Sequence, residues 1–175
     1  AGIDTMSFAE VSSQVYADLL IGSPYGVGYV NTGAGFVHDS LFFAFENIIG
    51  GAGNDILQGD NNANTLTGGD GADFMLGRGG NDTLIGGTGN DSLYGGAGND
   101  RFVFDQGLDI ATGGADADTF YWNSMIQGAD VVSDFSHAEG DKINLDHAVF
   151  GVPTAWGLIL GANFFVGAGA APTQA

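Results

Sequence analysis

The sequence predicts an all-β protein, a flattened roll of short strands stacked on one another. Three observations carry that expectation. A nine-residue period runs without insertion from Gly50 to Tyr121. Glycine supplies 32 of 175 residues, and the acid is nearly all Asp, the only Glu residues being Glu10, Glu46 and Glu139. Asp and Gly favour turns over helices, because the Asp side chain competes for backbone hydrogen bonds and glycine loses the most entropy when fixed.

The elements follow in chain order. Residues 1–45 carry no period and are expected to form irregular strands that cap the N-terminal end of the roll. Residues 46–121 form the roll itself. In each nine-residue window the first six residues make a tight turn, and the last three are enough for only a short strand. Glycine in the turn supplies positive φ and lets backbone layers approach closely. Asn at the fifth position (Asn54, Asn81, Asn90 and Asn99) tolerates the left-handed region. The eighth position reads Leu57, Leu66, Met75, Leu84, Leu93, Phe102, Ala111 and Phe120. Neighbours along a strand point to opposite faces, so this residue enters a thin core while the seventh and ninth face outward. One such strand buries nothing alone, whereas stacked copies bury a continuous strip.

Two turns and two strands, 18 residues, close one coil. Sixth-position residues then stack on two edges: Asp55, Asp73, Asp91 and Asp109 on one, Asn64, Asp82, Asp100 and Asp118 on the other. Carboxylates stacked at roughly the inter-strand spacing repel one another unless a counter-ion lies between them. Ca²⁺ suits such a column, because it takes about six to eight oxygens in flexible geometry, including carbonyls exposed by glycine turns. Mg²⁺ fits worse, demanding a tighter octahedron. Several calcium ions are therefore expected. Residues 122–175 add closing strands and cover the other end. The apolar segment Val149 to Val166, with Trp156, Phe164 and Phe165, is expected to pack against the last coil, and Gly167 to Ala175 to form a frayed tail.

Composition excludes other classes. With 3 Lys and Arg against 21 Asp and Glu, and a formal charge of −18, the chain cannot displace counterions from nucleic-acid phosphates or dock on an anionic membrane. No run of 18 apolar residues is present, so membrane insertion is not expected. The absence of cysteine excludes a disulfide framework, a thiolate zinc site and a cysteine nucleophile. A hydrophobic content of 44% with an apolar eighth column argues against a disordered acidic linker. No Asp-rich stretch has the Gly and Glu spacing of an EF-hand. His38, His137 and His147 form no His-Glu-x-x-His motif, and the last two read as surface histidines. Gly22-Ser23-Pro24-Tyr25-Gly26 reads as a turn, so no catalytic constellation is expected. The third positions form no Thr or Asn ladder of the kind a flat ice-binding face needs. Phe42, Phe43, Phe45, Phe102, Phe104, Phe120, Tyr121 and Trp122 are expected to close the core at the ends, with an exposed aromatic patch for glycan as the sharper alternative.

The windows GGAGND, GGTGND and GGAGND, each followed by an x-Leu/Phe-x strand, resemble the RTX calcium-binding repeats of secreted bacterial proteins. Glu46-Asn47-Ile48-Ile49 is similar to the family's usual lead-in. Asp130 to Phe135 and Gly140 to Leu145 resemble the closing segment of serralysin-type C-terminal domains, and Gly2 to Phe8 resembles the strand that enters them. The resemblance implies a parallel β-roll, with ions between turns on one edge, held by sixth-position carboxylates and by carbonyls of the first four turn residues. Carried over, the carbonyl donors lie at Gly51 and Gly53, at Gly68, Gly69 and Gly71, at Gly77 and Gly80, and at Gly86, Gly87 and Gly89. They continue at Gly95, Gly96 and Gly98, and at Gly113 and Gly114. The best sites would pair Asp55 with Asp73, Asp73 with Asp91, and Asp82 with Asp100. The sites ending at Asp109 and Asp118 depart from the pattern, since window 104–112 lacks both leading glycines and Asp116 replaces a glycine. The neutral Asn64 should weaken or abolish its site, and Arg78 replaces a glycine where only a carbonyl is needed.

The resemblance further implies an extracellular bacterial protein exported by type I secretion machinery, folding on calcium once outside. It also implies that the family's pattern continues past Ala175. Two rivals are an adhesin or surface-layer fragment that binds glycan or itself, and the non-catalytic C-terminal piece of a secreted hydrolase or epimerase.

Overall fold

The computed structural model describes residues 3–19, 29–31, 36–38, 45–123 and 130–146. Among these there are strands and no helix, hence none long and apolar enough to cross a membrane. From β4 (Phe36–His38) onward consecutive strands alternate between two sheets. The first sheet takes β1 (Thr5–Ser7), β5 (Asn47–Ile49), β7 (Thr65–Asp70), β9 (Thr83–Thr88), β11 (Arg101–Phe104), β13 (Thr119–Trp122) and β15 (Lys142–Leu145), in that spatial order. The second takes β14 (Val131–Val132), β12 (Ile110–Ala115), β10 (Ser92–Ala97), β8 (Phe74–Gly79), β6 (Ile56–Gln58) and β2 (Tyr16–Asp18), followed by β3 (Tyr29–Asn31) and β4 (Phe36–His38).

From β5 to β13 every pairing is parallel and shifted by one coil, as in Leu66↔Leu84 and Leu93↔Ala111. This is the parallel β-roll that the period predicts. The eighth-position side chains Leu57, Leu66, Met75, Leu84, Leu93, Phe102, Ala111 and Phe120 are all fully buried and form one strip. Phe102 stacks on Phe120 at 5.0 Å between ring centroids, and Phe104 on Trp122 at 4.4 Å, so aromatic rings fill the C-terminal end of the core. Tyr121 faces outward under the Arg101 guanidinium and donates to Asp146.

Two features differ from the sequence expectation. Several strands run six residues, because the first three turn positions stay in register with the next coil, as in Gly69↔Gly87 and Asp70↔Thr88. Bending is thus confined to positions four to six. At the N-terminus, β1 and β2 are regular members of the two parallel sheets, pairing with β5 and β6, and only β3 and β4 add antiparallel strands. At the other end β14 and β15 continue the sheets with longer connections, as in Ile110↔Val131 and Thr119↔Lys142. The expectations for Phe42, Phe43, His147, the turn at Gly22 to Gly26, the segment Val149 to Val166 and the tail lie outside the described residues.

Candidate metal centre

The sixth-position residues stand where the roll bends from one sheet to the other. Those at Asp55, Asp73, Asp91 and Asp109 lie on the first edge, and those at Asn64, Asp82, Asp100 and Asp118 on the second. All eight are buried. The reason is local: the next residue starts a strand, and the side chain turns back beneath its own turn.

Each carboxylate uses one oxygen in a ladder. On the first edge Asp55 N donates to Asp73 Oδ1 at 2.7 Å, Asp73 N to Asp91 Oδ1 at 2.9 Å, and Asp91 N to Asp109 Oδ1 at 3.0 Å. On the second Asn64 N donates to Asp82 Oδ1 at 2.7 Å, Asp82 N to Asp100 Oδ1 at 2.8 Å, and Asp100 N to Asp118 Oδ1 at 2.9 Å. In six of them the other oxygen has no donor. Among the described residues, Oδ2 of Asp73, Asp82, Asp91, Asp100, Asp109 and Asp118 is buried without a hydrogen-bond partner. A buried unpaired carboxylate oxygen is costly and requires a counterpart.

These oxygens sit over the leading glycine of their own turn. A Cβ on Gly68 would lie 2.1 Å from Asp73 Oδ2 and 2.5 Å from Gly86 O, and one on Gly77 2.3 Å from Asp82 Oδ2 and 2.6 Å from Gly95 O. Each carboxylate oxygen thus converges with a carbonyl from the next turn on a space that only glycine leaves free. Carbonyls of the second and fourth positions also point at the following turn. A Cβ on Gly89, at φ +130°, would lie 1.8 Å from Gly71 O. Among the described residues no three acidic or histidine side chains converge. The oxygen set is instead one carboxylate with several carbonyls, and a hard cation of flexible coordination fits it.

Electrostatics agree. Burial, only partly offset by the backbone N–H bond, pushes Asp73, Asp100 and Asp109 up to about 7, with neighbouring carboxylates adding to the rise. Burial likewise pushes Asp82, Asp91 and Asp118 to about 6. The groups resist being charged as they stand.

The first turn on each edge differs from those that follow. Asp55 accepts from Val15 N at Oδ1 and from Gly51 N at Oδ2, so it has no orphaned oxygen. Asn64 Oδ1 accepts from Asp60 N, and its amide donates to Glu46 O. Asp109 and Asp118, whose turns depart from the glycine pattern, are orphaned like the regular members. Asp116 takes the positive φ that glycine has elsewhere, at 81°.

The ladders also run past the repeats. Asp109 N donates to Asp130 Oδ1 and Asp118 N to Asp141 Oδ1. Their second oxygens are satisfied, by Trp122 Nε1 and Ser136 N. Asp134 accepts from Gly113 N and Gly114 N. Sequence reasoning did not assign Asp130 and Asp141 to the columns, although each precedes an x-apolar pair as the repeat aspartates do.

None of the curated proteins compared matches the chain. The family described as RTX calcium-binding nonapeptide repeat (four copies) matches residues 45–75 and 76–111. Together with the period and the parallel coils, this match makes residues 45–111 an array of RTX calcium-binding nonapeptide repeats, which bind several calcium ions.

Proposed function

We propose that Asp73, Asp82, Asp91, Asp100, Asp109 and Asp118, with carbonyls of adjacent turns, hold the calcium ions, and that binding drives folding of the roll outside the cell. The observation that carries this reading is the row of six buried carboxylate oxygens without donors. Calcium supplies the positive charge and open coordination sphere that these oxygens lack. The chain's own part is to fix the carboxylates through the Oδ1 ladder, to bring carbonyls to them across the leading glycines, and to exclude water. The sites need two adjacent turns in register, so they do not exist in the unfolded chain, and binding free energy becomes folding free energy. Low cytosolic calcium would keep the chain loose for type I export. Calcium outside, where extracellular modules bind at around 10⁻⁴–10⁻³ M, would close the roll. The module then serves as the structural and export part of a larger extracellular bacterial protein, with any catalysis residing outside this chain.

The test is far-UV circular dichroism of the EDTA-stripped chain during calcium titration, with magnesium as control. A cooperative gain of β-structure with calcium alone is expected, and full β-structure in EDTA would overturn the folding mechanism.

One observation favours a second reading, as an adhesin-like module. The outer face of the second sheet exposes Phe74, Tyr94, Ile110 and Val131, with Phe74 and Tyr94 at 5.3 Å between centroids. Concentration-dependent sedimentation, or glycan binding lost in a Phe74→Ser/Tyr94→Ser variant, would support it.

A further inference from the structure

Arg78 occupies the second turn position, where Gly69, Gly87, Gly96 and Gly114 adopt φ between 99° and 118°. Arg78 is held at φ 79°, a region that side chains rarely take. Its guanidinium explains why the position is not glycine. Nη1 donates to Asp18 Oδ1 at 2.6 Å and to Gly59 O, while Nη2 donates to Asp18 Oδ2 at 3.0 Å and to Gln58 Oε1 at 2.5 Å. All four acceptors are oxygens, from a carboxylate, an amide and a carbonyl, and together they resemble the coordination shell of a hard cation. Asp18 and Leu76 both pair with Gln58, in β2 and β8 on either side of β6. One side chain therefore ties three consecutive coils at the second edge.

This is also where the column offers no place for a metal. The turn 59–64 carries the neutral Asn64, whose oxygen and amide both have partners. On the opposite edge Asp55 is satisfied by Val15 N and Gly51 N. Orphaned oxygens begin only one coil further on, at Asp73 and Asp82.

We infer that the Arg78 guanidinium is a built-in cation closing the N-terminal end of the second edge, so that the coils of β2, β6 and β8 hold together without calcium and seed the calcium-dependent coils beyond. The inference rests on the reading that the orphaned carboxylates hold calcium. Its consequence is that this end stays ordered without calcium, ahead of the orphaned coils of the repeat, which order as ions bind.

Amide hydrogen exchange of the full chain in EDTA, with calcium titrations of Arg78→Gly and Asp18→Asn, tests it. In EDTA the amides of Leu19, Ile56 and Gly59 are expected to stay protected while those of Arg101, Ile110 and Thr119 exchange freely. Glycine relieves the backbone at position 78, so a purely conformational role predicts a calcium midpoint that is unchanged or lower in Arg78→Gly. The built-in cation predicts a midpoint raised roughly threefold or more in both variants, with the N-terminal protection lost. If Arg78→Gly fails to fold, Asp18→Asn is judged by the same criterion. An unmoved midpoint overturns the inference. So does free exchange of every amide in EDTA, although the calcium reading would then stand. Uniform protection in EDTA overturns both.

Discussion

At the residue scale, the sixth-position carboxylate divides its two oxygens between two tasks. Oδ1 ties one coil to the coil before it, and in six of the aspartates Oδ2 has no donor and is the oxygen proposed to meet a cation. Asp100→Asn separates them, because the amide oxygen still accepts from Asp82 N while the charge and the free oxygen are lost. The calcium midpoint for folding should rise roughly tenfold, since affinity at such sites follows the number of charged ligands. Calorimetry should also count fewer ions, and an unchanged midpoint and count would exclude Asp100 as a ligand. The column itself was legible because Asp recurs at a fixed interval. The exceptions at its ends were not. Asp55 is satisfied by Val15 N and Asp130 by Trp122 Nε1, donors from non-repeating segments that no period can place. Asp130 and Asp141 were hidden by changed spacing, although the Asp-x-apolar triplet survives at both.

At the element scale, the strands from β5 to β10 are each stabilised by one inward side chain and by neighbouring strands, whereas β11 and β13 each bury two aromatic rings. Leu84 is fully buried in β9, between Leu66 and Phe102. Leu84→Ala should cost about 2–5 kcal/mol, read from urea unfolding at saturating calcium. A loss below 1 kcal/mol, on the order of an exposed-site change, would show that the strip is not a packed core. Strand existence and direction followed from the alternation of inward and outward residues. Strand length did not, because the added residues are mostly glycines, with Asp70, Arg78, Thr88, Ala97 and Ala115 among them, and their pairing depends on the neighbouring coil. The same ignorance hid the asparagine contacts between coils. Asn54, Asn81, Asn90 and Asn99 each accept, one coil on, from the backbone N–H of Ala72, Asn99, Leu108 and Ala117. Sequence reasoning valued these asparagines only for their backbone tolerance.

For the whole molecule, the raised carboxylates make pH and calcium opposing controls. Their folded pKa values of about 6 to 7 lie above those of the unfolded chain, near the ordinary Asp value. In EDTA this contribution to stability is fully present below about pH 4 and is lost as pH rises through 6 to 7. The metal-free chain should therefore be more ordered at pH 5 than at pH 8 by circular dichroism. With calcium the sign reverses, because a ligand must be deprotonated, and the midpoint should fall as pH rises from 5 to 8. A metal-free chain equally ordered at both pH values would contradict the burial of these groups. The excess of 18 negative charges works in the same direction, opposing compaction until cations neutralise it.

The constant register has a mechanical consequence. Between β5 and β13 each strand is bonded only to strands one coil before and one coil after, as in Thr65↔Thr83 and Arg101↔Thr119. A force applied to the C-terminal end of the repeats opposes one coil's bonds at a time. Each release of 18 residues frees roughly 60 Å of chain before the next coil bears the load. The N-terminal end behaves differently, because once β1 leaves β5 the chain is still held by β2 on β6 and by the antiparallel β3 on β2, so it is not released as one 18-residue coil. A motor that pulls on the repeats thus meets the strength of one coil, however many are stacked behind it.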